Sequence, residues 1–425
     1  MSEQVVLLLT GAGAVVVGLT AAALIVWRDL APVARLSPVQ RVALIVALGG
    51  GVIAFGLKLT VIETLSLAGR DRLAPTLAAP IEEAGAPVEA GRPLWSALPV
   101  EAPAPADNPT TAEKVALGRR LFFETRLSRD GSLSCASCHD LDRAAGGDGR
   151  ATAVGIDGQV GPRNTPTVYN AAFQARLFWD GRATSLEEQA LGPIANPIEM
   201  GADLEVVAAG LAADPAYRAA FAAAFGAEAP IDRRAIARAL AAFERTLVTP
   251  DAPFDRFLAG DATALTPQQL RGMSLFETVG CVVCHAGPGF SRASLLAPEG
   301  GRSAFRLFPA LASPIVAPYR LTEDRGAAGS GTRGLWRVPS LRNVAVTGPW
   351  FHNGAVTDLA EAVRIMATVQ AGRVVIDGGR PETVVEWSAE TRRLTRRTPS
   401  PLSEAEVADI VAFLGALTSD RLARR

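Results

Sequence analysis

Two short stretches hold all four cysteines of this 425-residue chain: CASCHD at Cys135–Asp140 and CVVCHA at Cys281–Ala286. A pair of Cys-x-x-Cys units can bind zinc, cycle as redox dithiols, or anchor a porphyrin. A zinc ribbon needs its pairs to converge, usually with about 15–20 residues between them. Here the whole of residues 139–280 intervenes. A thioredoxin-like dithiol sits in a βαβ context, and no such pattern surrounds either pair. The residue that decides is the histidine after each second cysteine, His139 and His285. Cys-x-x-Cys-His attaches haem c: two thioethers fix the porphyrin, and the adjacent imidazole becomes the proximal iron ligand. Cys135, Cys138, Cys281 and Cys284 therefore predict two covalent haems c, with His139 and His285 on the irons.

The supply of further axial ligands is short. The chain has three histidines, and only His352 is left once His139 and His285 are used. At most one haem can be bis-histidine. The four methionines are Met1, Met200, Met273 and Met366. Met273 precedes the second cysteine pair on the same helix, poorly placed to reach the far side of that haem. Met366, in LAEAVRIMATVQ, lies on a helix well after it, the usual order in a His/Met c-type domain. Methionine as sixth ligand raises the reduction potential. By spacing alone Met366 also reads, though less well, as a core methionine on an apolar face. Two haems can form a wire, or one can feed electrons to another that does chemistry. A purely electron-transferring protein needs both irons six-coordinate, which this ligand count makes hard.

The elements that must position these groups are helical, and they repeat. GRRLFFET (Gly118–Thr125) leads into the first cysteine pair and GMSLFET (Gly272–Thr278) into the second, so the chain carries two copies of one unit. In TTAEKVALGRRLFFETRL, Thr110 and Glu113 read as a capping box ahead of the stripe Val115, Leu117, Leu121 and Phe122. Thr266 caps the second helix with Pro267 at its first position. Ser403 caps a last helix whose face carries Val407, Ile410, Val411 and Leu414. No long alternating strand pattern appears, and Gly- and Pro-rich loops fill the gaps, above all at residues 286–340. The expected fold is mainly α, with two haem domains at residues 110–258 and 259–425.

The N-terminus reads differently. Val5–Trp27 is an uncharged apolar run long enough for a bilayer core of about 30 Å. Val42–Ile62 is a second, interrupted only by Lys58, which can snorkel. MSEQ lacks the positive n-region of a secretory signal and the arginines follow the run, so two anchoring helices are expected, at residues 1–27 and 42–62. Arg28, Arg35 and Arg41 place the loop at 28–41 in the cytoplasm. Residues 63–109, rich in Pro and Ala, then read as a periplasmic tether. The expected location is the bacterial inner membrane with the haem domains in the periplasm, the side on which haem c is attached. A formal net charge of −1 gives no reason to expect nucleic acid as partner.

RNTPTVYNAAFQARLFWDGRATSLEEQALGPIANPIEMG (Arg163–Gly201) and RVPSLRNVAVTGPWFHNGAV (Arg337–Val356) resemble the bacterial di-haem cytochrome c peroxidases. The di-haem enzymes that mature methylamine dehydrogenase share much of the pattern. The resemblance covers roughly residues 108–418 and implies two cytochrome c-like domains, the N-terminal haem peroxidatic and the C-terminal one electron-transferring. It places Met366 where the peroxidases carry the methionine ligand of the C-terminal haem; the maturation enzymes have tyrosine there. It makes His352 a residue between the domains rather than a ligand. Trp179 of FWDGR matches the tryptophan between the haems, and reads as a core aromatic too. Asn164, with the backbone of Thr347 and Pro349, matches a bridging calcium site, and such oxygen ligands suit Ca²⁺. Gln189 and Glu199 match the distal pair, an orienting amide and a proton shuttle. Peroxide cleavage needs such a base, although without the resemblance Glu199 reads as a solvated surface carboxylate. One departure stands out. Where many of these peroxidases carry a distal histidine, in a loop after the first motif, this chain has Ile156.

The function expected is that of a membrane-anchored periplasmic di-haem peroxidase. It would reduce hydrogen peroxide to water with electrons from a cytochrome c, a small copper protein (cupredoxin) or a membrane quinol. The alternatives are a di-haem oxidase that modifies a partner protein and a non-catalytic electron-transfer cytochrome.

Overall fold

Gly118 and Gly272 occupy equivalent places in the two repeats, and each is where two helices cross. The helix Ala112–Phe122 crosses Arg233–Glu244, and Pro267–Val279 crosses Glu404–Gly415. A Cβ on Gly118 would overlap the carbonyl oxygen of Ala239, and one on Gly272 that of Asp409. Only glycine lets the backbones approach so closely. Each crossing is closed by an aromatic pair, Phe122 with Phe243 at 5.3 Å between ring centroids and Phe276 with Phe413 at 5.4 Å. The computed structural model describes residues 95–423, apart from 298–299, 303, 312, 328, 331–332, 373–374, 378–379 and 382–400. The expected membrane hairpin, 1–62, and residues 63–94 lie outside the described residues. Among those described, no helix is long and apolar enough to cross a membrane.

The helix starts follow local chemistry. Thr266 and Gln269 form a reciprocal capping box with Pro267 at the first position, and Ser403 and Glu406 form another. The first helix begins one residue later than expected. Thr111, not Thr110, accepts from the Lys114 amide. That puts a lysine at the third helical position, so no reciprocal box closes there.

After each Cys-x-x-Cys-His, the chain returns through a second repeated turn. Pro166-Thr167-Val168-Tyr169-Asn170 and Pro339-Ser340-Leu341-Arg342-Asn343 both end on an asparagine at φ 62°, a left-handed position that asparagine tolerates. A single 3₁₀ turn follows each, Ala171–Phe173 and Val344–Val346. The Nδ2 groups of Asn170 and Asn343 both donate to the hydroxyl of Thr249, at 2.7 and 3.0 Å. A hydroxyl oxygen has two lone pairs, so one buried threonine joins the two repeats.

Two main cores result. Leu117, Leu121, Phe122, Tyr217, Phe221 and Leu240 lie in the first; Phe254, Phe276, Phe290, Val407 and Phe413 lie in the second. The helix Pro253–Leu258, assigned by sequence to the end of the first domain, therefore packs with the second. Its Asp255 makes a two-bond pair with the buried Arg342, at 2.6 and 2.9 Å. The β-strands among the described residues form two small sheets. In the larger, Arg333–Arg337 pairs antiparallel with Phe305–Phe308 and with Gly329–Ser330.

The described end of the expected tether is not a free linker. Trp95 is buried among Phe254, Phe290 and Phe413, and its Nε1 donates to Glu277 at 2.7 Å. Asn108, also buried, donates to Glu187 at 2.7 Å and accepts from Lys114 Nζ at 3.1 Å. The stretch 95–109 thus straps across both repeats. Its Pro- and Ala-rich composition concealed that, because one tryptophan supplies much of the anchorage.

Candidate functional site

Both cysteine motifs open on one cavity of about 850 Å³, within the range of small-molecule and cofactor sites. The first motif is a single helical turn, Cys135–Cys138, whose first carbonyl accepts from the His139 amide at 2.8 Å. The second is a 3₁₀ turn, Cys281–Val283, with the matching His285 amide bond at 2.9 Å. In both, the same small turn turns the histidine ring inward. His139 Nδ1 lies 2.9 Å from the Gly146 carbonyl and His285 Nδ1 lies 3.0 Å from that of Phe290. A carbonyl can only accept, so Nδ1 carries the proton and the Nε2 lone pair is left for a metal. Burial pushes both imidazole pKa values down, His285 to about 4. Neutral imidazoles are the ligating form.

The donor set fits haem c and not the other cysteine chemistries. None of the four cysteines is in a disulfide. Burial pushes the Cys135 thiol up to about 12, the reverse of the low values that activate redox thiols. Three buried polar atoms on residues lining the cavity, Gln174 Nε2, Trp336 Nε1 and His352 Nε2, have no hydrogen-bond partner. That suits an occupant with a polar edge as well as an apolar face.

Gln189 and Glu199 both line this cavity with the first motif. Gln189 projects from the helix Leu186–Ala195, capped by Ser185. Glu199 follows in a tight turn, where Asn196 Nδ2 donates to its Oε1 at 2.7 Å. Burial, partly offset by that bond, raises the Glu199 pKa above its usual 4.5. Asn196 is a contributor that sequence reasoning missed; its place in NPIE gave no period to read. Ile156 is 1% exposed and is not among the cavity-lining residues.

Trp179 bonds to the chain just ahead of each return turn. Its Nε1 donates to the Asn164 carbonyl at 2.9 Å, and its own carbonyl accepts from the Arg337 amide at 3.1 Å. Met366 sits on the helix Leu359–Val369, where Ala362, Val363, Met366 and Ala367 turn toward the cavity. Met273 is buried in the second core, away from the cavity lining. Asn164, Thr347 and Pro349 line the cavity together. Asn164 Nδ2 donates to the Arg150 carbonyl at 2.9 Å, which leaves its Oδ1 as the atom available to a cation. No cluster of three acidic, histidine or cysteine side chains exists among the described residues, so a cation here would rest on neutral oxygens.

His352 is 3% exposed, stacked on Trp336 at 4.1 Å, and its carbonyl accepts from the Asn164 amide at 2.7 Å. Burial pushes its pKa down to about 4. Arg163 lies over the indole of Trp336 and bridges Asp180 and Asp324, both at 2.7 Å. Sequence reasoning named His352 but not Arg163 or Trp336, which come from a distant loop and from the strand Arg333–Arg337.

The model of the di-haem cytochrome c peroxidase family matches residues 112–263. Cytochrome c551 peroxidase of Nitrosomonas europaea is 38% identical over 313 residues, covering 72% of this chain and 80% of that one. The chain belongs to the di-haem cytochrome c peroxidase family. As a member it is implied to carry two haems c, which the paired Cys-His motifs can accept. The methylamine utilization protein MauG of Methylorubrum extorquens is also 38% identical, over 310 residues, covering 72% of this chain and 78% of its own. Among solved structures, a MauG-like protein associated with microbial copper homeostasis aligns with a TM-score of 0.63 at 33% identity, covering 78% of this chain and 96% of that one.

Proposed function

We propose that this chain is a membrane-anchored periplasmic peroxidase that reduces hydrogen peroxide to water with two electrons from a reduced donor. The observation that carries the reading is the placing of Glu199, Gln189 and Asn196 on the same cavity as the first cysteine motif. A haem on Cys135, Cys138 and His139 would supply the iron that binds peroxide, and one on Cys281, Cys284 and His285 would supply the route for electrons. Glu199 would take a proton from one oxygen of peroxide and return it to the other, which departs as water. Asn196 holds Oε1 and so leaves Oε2 for that transfer. Gln189 orients the substrate through its amide. Trp179, bonded to Asn164 and Arg337 just ahead of the two return turns, would stand on the electron path, and Met366 would help His285 hold the second haem. Asn164, with the Thr347 and Pro349 carbonyls, would hold a calcium ion.

Cytochrome c, a small copper protein and a membrane quinol are the donors proposed. Steady-state peroxide consumption with each reduced donor tests the reading, and no turnover with any of them overturns it. Relatives named MauG match as well as several named peroxidases do, so a second reading is an oxidase that modifies a partner protein. Met366, where the resemblance to the maturation enzymes would call for tyrosine, favours the peroxidase.

A further inference from the structure

Arg337 is a buried cation whose partners are all neutral. It ends the strand Arg333–Arg337 and is 7% exposed. Its Nε donates to the Phe178 carbonyl at 2.8 Å, and one terminal nitrogen donates to Gln174 Oε1 at 3.3 Å. No carboxylate among the described residues forms an ion pair with it. Asp180, whose charge reaches it, is committed to Arg163 at 2.7 Å and to Arg182 at 2.9 Å. Burial brings the Arg337 pKa down to about 10. Gln174 is itself 8% exposed, and its Nε2 has no partner. Both residues line the cavity.

A buried charge is costly unless it is paired, so this part of the cavity calls for an anion. The surroundings tie it to the second motif. Pro339, two residues on from Arg337, sets its carbonyl beside the His285 ring. Ser291, next to the Phe290 that holds His285 Nδ1, donates to the Val338 carbonyl at 2.7 Å. A guanidinium fork and a primary amide side by side match the two oxygens of one carboxylate. We propose that Arg337 and the Gln174 amide seat a propionate of the haem attached at Cys281 and Cys284.

The seat has a consequence for electron flow. Arg337 also bonds the carbonyls of Phe178 and Trp179, through its side chain and its amide. The propionate, once paired, is thereby coupled to the backbone that carries the inter-site tryptophan. Arg163 cannot play this part at the first site, because its guanidinium is taken up by Asp180 and Asp324.

The proposal rests on haem attachment at the second motif, which the haem content per chain reads independently. The test uses the full, haem-loaded chain with Arg337→Gln, Arg337→Lys and Gln174→Leu. The readouts are the propionate bending bands in resonance Raman spectra, recorded with the higher-potential haem selectively reduced, and the potential of that haem. Arg337→Gln should keep two haems, shift the propionate band of the His285 haem and lower its potential. Arg337→Lys should restore most of the potential, and Gln174→Leu should shift the band less than Arg337→Gln does. Loss of any buried cation lowers a nearby potential, so the Raman band decides. An unchanged band in fully loaded Arg337→Gln, or a shift confined to the His139 haem, overturns the proposal. If Arg337→Gln does not accumulate, the same band in the other two variants is decisive, and no change in either overturns it.

Discussion

The backbone amide of Ile156 donates to the carbonyl of Glu199 at 2.7 Å. That bond ties the loop after the first haem motif to the turn that bears the candidate proton shuttle. Gly155 tightens the union, since a Cβ there would overlap the Ile198 carbonyl. Glu199 is therefore held from both sides, by the loop on its backbone and by Asn196 on its carboxylate. An acid–base group is effective only when its reach is fixed.

Glu199→Gln should keep both haems and the fold and lose peroxide turnover by roughly 10²–10⁴-fold, the usual cost of a lost acid–base group. The pH profile carries a sign. Burial raises the Glu199 pKa above 4.5, and only the ionised carboxylate can accept a proton. The wild-type rate should thus fall on the acid side at a pH above 4.5, and the residual rate of the variant should lack that limb. The stability term runs the other way. A raised carboxyl pKa favours the folded state while protonated, and that advantage is lost as pH rises from 4.5 through the folded value. Glu199→Gln should accordingly melt no lower than wild type at neutral pH. Near-normal turnover in this variant would remove Glu199 from the mechanism.

Met366→His replaces a thioether with a stronger donor to oxidised iron, so the potential of the His285 haem should drop. Reduction by the donor should slow with it, while the first haem keeps its spectrum. An unchanged spectrum and potential would return Met366 to the role of a core side chain.

Gly272→Ala should be among the most damaging small substitutions in the chain. Its Cβ would meet the Asp409 backbone, which cannot rotate away, so a loss of about 1–3 kcal/mol or more is expected from overpacking. Gly210→Ala gives the contrast. Gly210 lies inside the helix Leu204–Ala213 with nothing near its missing Cβ, and alanine there should stabilise by about 0.5–1 kcal/mol. Thermal melts of the two variants check both signs.

The helix repeat and the haem motifs were legible because their information is local. GRRLFFET and GMSLFET each spell a helix, and Cys-x-x-Cys-His spells its chemistry within five positions. The pairing of Gln189 with Glu199 came only through resemblance, since nothing in QALGPIANPIE says that the two face one cavity. The stack of Arg163, Trp336 and His352 stayed hidden for another reason. Its members lie far apart in the sequence, Arg163 and His352 in irregular segments and Trp336 on the strand Arg333–Arg337. Trp95 was masked by its Pro- and Ala-rich setting, though an aromatic in such a stretch is a signal of docking.

That docking sets where the chain can be cut. Replacing residues 1–94 with a cleaved export signal should release a haem-loaded enzyme, because the strap from Trp95 onward is retained. Extending the deletion to residue 109 should sharply lower the melting temperature, as it removes Trp95 and Asn108 from both repeats. Trp95→Ala alone should cost about 3–5 kcal/mol. Equal melting of the two truncations would show that the strap contributes nothing.

The last prediction concerns readiness. A peroxidase with a distal histidine must expel that ligand before peroxide can bind, which requires a conformational equilibrium to be shifted first. Here the corresponding loop residue is Ile156, buried, pinned to Glu199 and unable to ligate iron. Of the three histidines, His139 and His285 are committed to the two motifs. His352 is held flat on Trp336, with its backbone bonded to Asn164. Met200 touches the cavity but packs in the first core with Leu121 and Leu127. The haem on His139 should therefore be five-coordinate or water-bound in the fully oxidised protein. One of the two haems should show a high-spin ferric signal, and peroxide should react without a pre-reduction lag. Ile156→His should recreate the gate, with a low-spin first haem and a lag that half-reduction removes. Two low-spin, six-coordinate haems in the oxidised wild type, inert to peroxide until half-reduced, would sink the idea and point to His352 or Met200 as the ligand.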